Sequence, residues 1–244
     1  MRAGVKGHAV FSPPMLDQAK IRAITLDLDD TLWPIWPTIE RAEKALHRWL
    51  MQHAPMAAAL FSSPAALREI RESMSTSRPD LKHDMSALRR ESIRLALYRA
   101  NEDPLLAEPA FEAFFDERQR VDLFDDALPL LESLAARYPL VALSNGNADV
   151  ERVGLGRFFR ASISARAFGV GKPDPRIFHA AAGAAGVQPA EILHIGDDAT
   201  LDALGALNAG MQAAWLNRAD APWPHAQQPH VAVATLEELR AMLA

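Results

Sequence analysis

Three carboxylates lie within four residues of one another near the start of the chain, in the sequence D-L-D-D at positions 27–30. They follow a nearly continuous apolar run, which is typical of a strand covered on both faces of a parallel sheet. Because side chains alternate along a strand, Asp27 and Asp29 are expected to point to the same side. Like charges packed at the end of a buried strand are costly unless a cation lies beside them. The pattern therefore favours a cation-binding site over an acidic turn, which needs only one Asp or Asn.

Three further polar clusters occur later in the chain, each at the expected end of a strand or in the loop that follows. They are S-N-G-N at 144–147, G-K-P-D-P at 171–175 and G-D-D at 196–198. Ligands of an open parallel sheet bind outside the carboxyl ends of its strands. The four clusters are therefore expected to meet at one site.

The chemistry that suits such a site is phosphoryl transfer. A carboxylate attacks an anionic phosphomonoester only where cations cancel the repulsion between the two. Asp27 and Asp197 offer the hard oxygen ligands that Mg²⁺ prefers. Lys172 supplies a second, fixed positive charge, and together they would keep Asp27 ionised.

The remaining polar residues suit binding of the phosphoryl group and proton transfer. Ser144 and the backbone N–H groups of Asn145 or of the loop after Asp27 are expected to donate hydrogen bonds to phosphoryl oxygens. Asp29 is the candidate general acid and base. Thr31 either contacts the phosphate or shapes the turn together with Asp30.

Several of these residues also have an ordinary structural interpretation. Ser144 and Asn145 alone would form a common turn, and Lys172 alone would be a solvated loop lysine. Asp174 is predicted to be the N-cap of a helix with Pro175 at its first position. Asp198 and Asp202 would suit the first turn of a helix, where acidic side chains favour the helix dipole. The functional interpretation depends on the whole set occurring in one chain.

Composition limits the class of protein. The chain has 244 residues, of which 49% are hydrophobic and 23% charged, so it suits one or two domains with a sizeable core. A net charge of -5 argues against nucleic-acid binding driven by bulk electrostatics. The absence of cysteine excludes disulfides, thiolate metal sites and cysteine nucleophiles, and it fits a cytoplasmic protein.

Neither the first residues of the chain nor its apolar runs predict targeting to a membrane. Residues 1–20 are expected to be a flexible leader and not a signal peptide, because they lack an apolar core of the required length. No apolar run approaches the length that spans a bilayer. The expected partner is a small molecule, and the oligomeric state is left open.

Hydrophobic spacing changes twice along the chain. Residues 36–120 show helical spacing, with helix starts predicted at Thr38, Ser63, Asp84 and Pro109.

From residue 121 strands and helices alternate. Strands are predicted at 140–143, 162–165, 192–195, 211–216 and 231–233. Helices are predicted near 126–137, before 154–156, at 176–185, 201–209 and 236–243. The alternation predicts a doubly wound parallel sheet formed by residues 21–35 and 121–244, with an all-helical insert at 36–120.

The motifs D-L-D-D-T at 27–31, S-N-G at 144–146, K-P at 172–173 and G-D-D-x-x-x-D at 196–202 resemble those of the haloacid dehalogenase superfamily. Their order and spacing span nearly the whole chain. The resemblance implies an α/β fold with a Rossmann-like core. It also implies a helical C1-type cap inserted after the first strand.

The resemblance also implies roles for individual residues. Asp27 would form an aspartyl-phosphate, and Asp29 would protonate the leaving oxygen and then activate water. Mg²⁺ would be held by Asp27, the backbone carbonyl of Asp29 and Asp197, with Asp198 or Asp202 supporting these ligands.

A narrower resemblance concerns the substrate. Dehalogenase and phosphonatase members lack an acid at the position of Asp29, so its presence points to phosphate esters. The sequence around the motifs is similar to that of the bacterial flavin mononucleotide phosphatase branch, as is K-H-D at 82–84 followed by two arginines. His83 and Arg89 are the candidate substrate contacts in the cap.

These observations predict a Mg²⁺-dependent phosphatase for a small phosphomonoester such as FMN, another nucleotide or a sugar phosphate. One alternative is a phosphomutase or phosphotransferase that passes the phosphoryl group to a sugar. Another is a non-catalytic, receiver-like module that senses phosphate. The helical insert argues against the receiver, which needs no lid.

Overall fold

The computed structural model describes residues 15–244, and in that part of the chain six strands form a single parallel sheet. The strands are Ala23–Leu26 (β1), Leu140–Ser144 (β2), Ala161–Ser164 (β3), Ile192–Gly196 (β4), Gln212–Leu216 (β5) and Val231–Val233 (β6). Their order across the sheet is β3-β2-β1-β4-β5-β6. The first strand is therefore central, between β2 and β4, and the predicted α/β fold with a doubly wound parallel sheet is confirmed.

The helices of the described residues occupy the layers around this sheet and the segment that follows β1. They are Ile35–His53 (α1), Pro55–Leu60 (α2), Pro64–Ser77 (α3), Met85–Arg99 (α4), Ala107–Arg118 (α5), Ala127–Ala135 (α6), Ala165–Phe168 (α7), Pro175–Ala185 (α8), Gly205–Asn208 (α9) and Leu236–Met242 (α10). A π-helical turn, Ala199–Leu204, leads directly into α9.

Alternation along β1 explains why the sheet is covered on both faces. Ile24 and Leu26 belong to one buried cluster, which includes residues of α6 and α10. Ala23 belongs to the cluster on the other face, with Ile177 and Phe178 of α8. A strand with apolar side chains on both faces is held firmly by two cores, so the residues that follow it are well positioned.

Residues 35–118, called here the helical insert, contain α1–α5 and no strand. They have a buried cluster of their own, formed by side chains that include Leu46, Leu97, Phe111 and Phe114. Because this cluster is separate from the two sheet cores, the helical content predicted for 36–120 is found as a distinct packed layer. Its behaviour as a mobile cap stays a prediction.

Three of the predicted helix caps are confirmed. Ser63 accepts a hydrogen bond from Ala66 N, Asp84 from Ala87 N and Asp174 from Arg176 N. These side chains satisfy backbone N–H groups that have no partner inside the helix. The cap predicted at Thr38 is wrong, however.

Helix α1 begins three residues before Thr38, after Pro34. Its first N–H group, that of Ile35, donates to Asp30 Oδ1 at 2.9 Å. Asp30 has a φ of 59°, and this left-handed conformation is one that Asp tolerates better than most residues. Thr38 is buried within the helix instead, and its hydroxyl donates to Pro34 O at 3.5 Å.

Other element boundaries also differ from those predicted. The helix expected before residues 154–156 is absent among the described residues, where turns through Gly154 (φ 81°) lead to a 3₁₀ turn at Gly156–Phe158. The helix expected at 201–209 starts earlier, because Asp198 caps the π-helical turn at Thr200 N and Leu201 N. Helix α5 begins at Ala107, so Pro109 lies within its first turn.

Part of the predicted leader can be described. Residues 1–14 lie outside the described residues. Asp17 N donates to Gln212 Oε1 at 2.7 Å, and Gln212 Nε2 donates to Asp17 O at 3.0 Å. The chain from residue 17 is thus bound to β5. None of the helices among residues 15–244 has both the length and the hydrophobicity needed to cross a membrane.

Truncation of a central core side chain should lower stability strongly. Ile24 is fully buried between β2 and β4, so we expect Ile24→Ala to lower the free energy of unfolding by about 2–5 kcal/mol. Urea denaturation measures this change. Tyr98→Ala, at a side chain that is 70% exposed, is the control and should change it by less than about 0.5 kcal/mol. Equal effects of the two substitutions would contradict the central position of β1.

Candidate active site

The carboxyl ends of three neighbouring strands bring the sequence-predicted residues together. Asp27 follows β1, Ser144 ends β2 and Asp197 follows β4. Lys172 reaches the same place from the loop before α8. Since β1 pairs with both β2 and β4, these side chains meet at one edge of the sheet, as the sequence predicted.

Lys172 is the central cation of the site. Its Nζ atom donates to Asp27 Oδ1 and to Asp202 Oδ1, both at 2.5 Å. Asp202 comes from the π-helical turn, and its second oxygen accepts a hydrogen bond from Asp198 N at 3.0 Å. The lysine therefore joins the nucleophile candidate to a carboxylate that is itself fixed in place.

The charges at this site differ in how well they are balanced. Burial alone would lower the pKa of Lys172, but Asp202 and Asp27 outweigh burial and raise it. Burial alone would raise the pKa of Asp202, but Lys172 and His194 lower it to about 2. Lys172 and Asp202 are thus a charged pair at neutral pH.

The charges of Asp27 and Asp197 are compensated less fully. Burial raises the pKa of Asp27 well above its ordinary value against the opposing effect of Lys172, and Asp202 and Asp197 add to the rise. Burial, followed by the nearby Asp202, raises the pKa of Asp197 to about 7. Both carboxyl groups lie in a place that is short of positive charge.

The carboxylate oxygens at this site fit a hard divalent cation. One carboxylate oxygen from each of Asp27, Asp197 and Asp202 lies within 4.8 Å of the others. Because Asp202 is already held by Lys172 and Asp198, the carboxylates suited to coordination are Asp27 and Asp197. A divalent cation would supply the missing positive charge and favour their ionised forms.

Thr31 supports the same two carboxylates. Its buried hydroxyl donates to Asp197 Oδ1 at 3.1 Å and lies 3.4 Å from Asp27 Oδ2. The structure therefore places Thr31 behind the acidic groups. Its predicted contact with phosphate stays a prediction.

His194, a residue outside all four sequence motifs, is fully buried behind Asp202. Its Nε2 atom lies 3.2 Å from Asp202 Oδ1, and its Nδ1 atom lies 2.8 Å from Thr25 Oγ1. Burial lowers the pKa of His194, which favours the neutral ring. Because a carboxylate only accepts, Nε2 carries the proton and Nδ1 accepts from Thr25. This neutral histidine fixes the orientation of Asp202.

Asp29 lies on the same side as Asp27, as its spacing predicted. Both line a cavity of about 200 Å³ together with Ser144, Lys172 and Asp197, called here the aspartate cavity. Asp29 is held in this cavity by a residue of the helical insert.

The residue that holds Asp29 is Arg118, the last residue of α5. Arg118 Nη2 donates to both carboxylate oxygens of Asp29 at 2.7 Å, and Trp33 Nε1 donates to Oδ1 at 2.8 Å. Arg118 is 1% exposed, whereas the side chain of Asp29 is 19% exposed and reaches the cavity. The three donor contacts fix the orientation of the carboxylate towards the cavity.

Gly146 allows Asp29 to lie so close to the loop after β2. A Cβ atom at Gly146 would lie 2.3 Å from Asp29 Oδ2, which is too close for any side chain. The backbone N–H group of Gly146 donates to Ser144 Oγ at 2.9 Å. Ser144 thus lies in the aspartate cavity with its oxygen already bound on one side.

Asn145 and Asp198, two other residues predicted from the sequence, form hydrogen bonds with other groups of the protein. Asn145 Nδ2 donates to Lys172 O at 2.9 Å, and Lys172 N donates to Asn145 Oδ1 at 2.7 Å. Asn145 therefore holds the lysine loop in place. Asp198 caps the π-helical turn while its backbone N–H group binds Asp202, which agrees with a supporting role.

The two cap residues predicted from sequence lie in different cavities. His83 lines a cavity of about 370 Å³ that it shares with Asn145 and the 171–174 loop. Arg89 lines another, of about 280 Å³, between the helical insert and the sheet. The second is called here the arginine cavity, because Arg71, Arg89 and Arg118 all line it.

Replacement of Gly146 should displace Asp29. We expect Gly146→Ala to force the Asp29 carboxylate away and lengthen its 2.7 Å contacts with Arg118, as a crystal structure of the variant would show. Gly183→Ala is the control. Gly183 lies in α8 with no atom near its added Cβ, so this change should stabilise the protein by about 0.5–1 kcal/mol. An unchanged Asp29–Arg118 pair in Gly146→Ala would contradict the close approach.

Comparison with known proteins agrees with this geometry. A family model described as haloacid dehalogenase-like hydrolase matches residues 21–210. The 5-amino-6-(5-phospho-D-ribitylamino)uracil phosphatase YigB of Escherichia coli K12 is 32% identical over 232 residues, covering 92% of this chain and 97% of the relative. Phosphoserine phosphatase of Thermus thermophilus is 36% identical over 157 residues, which are 62% of this chain and 63% of the relative.

Among solved structures, 2-haloacid dehalogenase from Pseudomonas syringae pv. Tomato DC3000 has a TM-score of 0.83 and 38% sequence identity. The match covers 91% of this chain and 98% of that one. The motifs, the sheet order and these matches agree: the chain belongs to the haloacid dehalogenase-like hydrolase family.

Proposed function

We propose that this protein is a Mg²⁺-dependent phosphatase that hydrolyses a small phosphomonoester through an aspartyl-phosphate on Asp27. The observation that carries the proposal is the position of Asp27. It directly follows the central strand, contacts Lys172 at 2.5 Å, and shares one cavity with Asp29 and Asp197. One cavity of about 200 Å³ is thus lined by the proposed carboxylate nucleophile, a fixed cation, a metal-ligand candidate and a second acid.

The first step is attack by a carboxylate oxygen of Asp27 on phosphorus. A bond forms between that oxygen and phosphorus, the bond from phosphorus to the leaving oxygen breaks, and Asp29 gives its proton to the leaving alkoxide. Lys172 stays protonated and offsets negative charge as the phosphoryl group arrives. Ser144, on the wall of the same cavity, is suited to a phosphoryl oxygen.

The second step restores the enzyme. Asp29, now a carboxylate, takes a proton from water, and the hydroxide oxygen attacks phosphorus and releases Asp27 and inorganic phosphate. Arg118 and Trp33 orient Asp29 for both steps, since each donates to its carboxylate. Transfer to water distinguishes this reaction from that of a phosphomutase, in which a sugar hydroxyl would take the phosphoryl group.

The residues suited to hold Mg²⁺ are Asp27, Asp197 and the backbone carbonyl of Asp29. When bound, the ion supplies positive charge next to the phosphoryl oxygens and keeps Asp27 ionised. Asp202, Asp198 and Thr31 support the ligands from behind through the hydrogen bonds described above.

The relatives support a phosphate ester as the substrate. The matched proteins from E. coli and T. thermophilus are phosphatases, whereas the solved P. syringae neighbour is a 2-haloacid dehalogenase. Asp29 favours phosphatase chemistry, because an ester oxygen leaves more readily when an acid protonates it and a halide needs no proton. FMN, another nucleotide or a sugar phosphate is the proposed substrate class.

Substitution of the two acids should separate the two steps. We expect Asp27→Asn to lower p-nitrophenyl phosphate hydrolysis by more than about 10³-fold, because an amide is a poor nucleophile. Asp29→Asn should lower turnover by about 10²–10⁴-fold and leave phosphate attached to the peptide that contains Asp27, detected by mass spectrometry after an acid quench.

Asp30→Asn is the matched control for both variants. Asparagine keeps the oxygen that caps Ile35 N and tolerates the left-handed backbone, so activity should stay close to that of the wild type. Hydrolysis of p-nitrophenyl phosphate by Asp27→Asn at the wild-type rate would contradict the assignment of Asp27 as the nucleophile. Chloride release from L-2-chloropropionate without phosphate ester hydrolysis would favour a dehalogenase.

Removal of metal should abolish activity reversibly. We expect EDTA to stop p-nitrophenyl phosphate hydrolysis and Mg²⁺ to restore it, while Mg²⁺ also raises the melting temperature of the wild type, since a ligand stabilises the folded state that binds it. Asp197→Asn should lose most of that thermal shift, whereas Asp122→Asn, at a side chain 79% exposed, should keep it. Full activity in metal-free buffer would contradict the metal assignment.

A further inference from the structure

The arginine cavity continues from the aspartate cavity at Asp29 and Gly146, which line both. The aspartate cavity contains Asp27 and Lys172, and the arginine cavity extends from it towards the helical insert. A phosphomonoester whose phosphorus lies at Asp27 and whose leaving oxygen lies at Asp29 would therefore extend into the arginine cavity. Its volume of about 280 Å³ is near the small end of the range of about 300–1,000 Å³ typical of ligand sites.

Positive charge is in excess behind this cavity. Glu43, whose side chain is 2% exposed, is the shared partner of Arg68, Arg71 and Arg89. Arg71 Nη1 and Arg89 Nη1 lie 3.5 and 3.6 Å from Glu43 Oε1, and Arg68 forms a closer ion pair. One carboxylate thus faces three guanidinium groups.

The excess remains after the neighbouring acids are counted. Arg68 also lies near Glu72 and Glu40, but Glu40 forms an ion pair with Lys44, so Glu72 is the acid that balances Arg68. Arg71 and Arg89 then still outnumber Glu43, and both line the cavity. On the opposite wall, Arg118 already donates to Asp29. Burial, followed by repulsion from Arg71, lowers the pKa of Arg89 to about 9, which agrees with a local shortage of negative charge.

The rest of the wall is largely apolar and aromatic. The guanidinium carbon of Arg89 lies over the ring of Phe114, 3.9 Å from the ring centroid. Trp36 and Met85 complete the apolar surface. Stacking uses the face of a guanidinium and leaves its N–H groups at the edge for hydrogen bonds. Such a wall suits a molecule with an apolar body and an oxyanion.

We infer that the arginine cavity binds the leaving group of the substrate and that this group carries a second oxyanion, held by Arg71 and Arg89. The inference rests on the proposed phosphatase function and narrows its substrate class to phosphomonoesters with a further negative charge. The bound oxyanion would offset the unpaired positive charge around Glu43. Paired binding of this kind is strong because planar guanidinium groups match carboxylate and phosphate oxygens.

The test compares phosphate esters that differ only in a second charge. The probes are phenyl phosphate, the 2-, 3- and 4-carboxyphenyl phosphates, and 4-(aminomethyl)phenyl phosphate. We expect the wild type to hydrolyse at least one carboxyphenyl phosphate with a kcat/KM at least tenfold above that for phenyl phosphate. Arg71→Gln and Arg89→Gln should each lower this ratio at least fivefold, mainly through KM for the carboxylated ester.

Two further variants separate charge recognition from packing. Arg71→Glu should move the preference towards the aminomethyl ester, a change that a loss of packing would not produce. Arg94→Gln is the matched control, since Arg94 lies on the same helix as Arg89 but pairs with Glu91 and Glu108 away from the cavity. In Arg94→Gln, the ratio of kcat/KM for the carboxyphenyl phosphate to kcat/KM for phenyl phosphate should equal that of the wild type.

The outcomes distinguish this inference from the proposed function. Hydrolysis of phenyl phosphate with no preference for any carboxyphenyl isomer would overturn the inference and leave the phosphatase intact. A preference that survives in both Arg71→Gln and Arg89→Gln would also overturn it. Absence of hydrolysis of every ester, with Mg²⁺ present, would count against the phosphatase itself.

Discussion

The site depends on one ammonium group placed between two buried carboxylates. Lys172 binds Asp27 and Asp202, and all three side chains are at least nine-tenths buried. Removing one partner of a buried ion pair leaves an uncompensated charge, which is strongly destabilising. The central strand, the turn after β4 and the loop before α8 are thus tied to one another by charge. Their relative positions set where the oxygen of Asp27 lies.

A second ion pair ties the helical insert to the same edge of the sheet. Arg118 ends α5 and binds Asp29, which follows β1. The orientation of the proposed acid therefore depends on how the insert packs against the core. The insert supplies the arginine cavity as well. The proposed proton transfer and the proposed recognition of the leaving group thus depend on the same helical layer.

The sequence predicted the residues whose roles follow from short, local motifs. Asp27 and Asp197 follow strands whose apolar runs are visible in the sequence, and the loop of Lys172 is marked by glycine and proline. The same local chemistry predicted the caps at Ser63 and Asp84. The cap of α1 was missed because it comes from Asp30, five residues before the N–H group it binds.

Residues that act through distant partners left no such pattern. Arg118 lies 89 positions from Asp29 in the sequence, and on its own helix it is one of several charged residues. His194 is a single polar residue in an apolar strand, and only its contact with Asp202 gives it a role. Glu43 resembles any other helical glutamate until α3 and α4 bring their arginines to it. Such pairings depend on tertiary packing, which periodicity and spacing do not encode.

The position of β1 in the sheet has a consequence for the order in which the protein assembles. Ile24 pairs with Leu140 on one side and Leu193 on the other, so both neighbours of this strand are synthesised long after it. The helices of residues 35–118 pack on one another and reach their partners much sooner. Contacts between distant residues form slowly because a long loop must close first. During translation, β1 therefore has no neighbour in the sheet until β2 (residues 140–144) has been synthesised, and it lacks its second neighbour until β4 (residues 192–196) has followed.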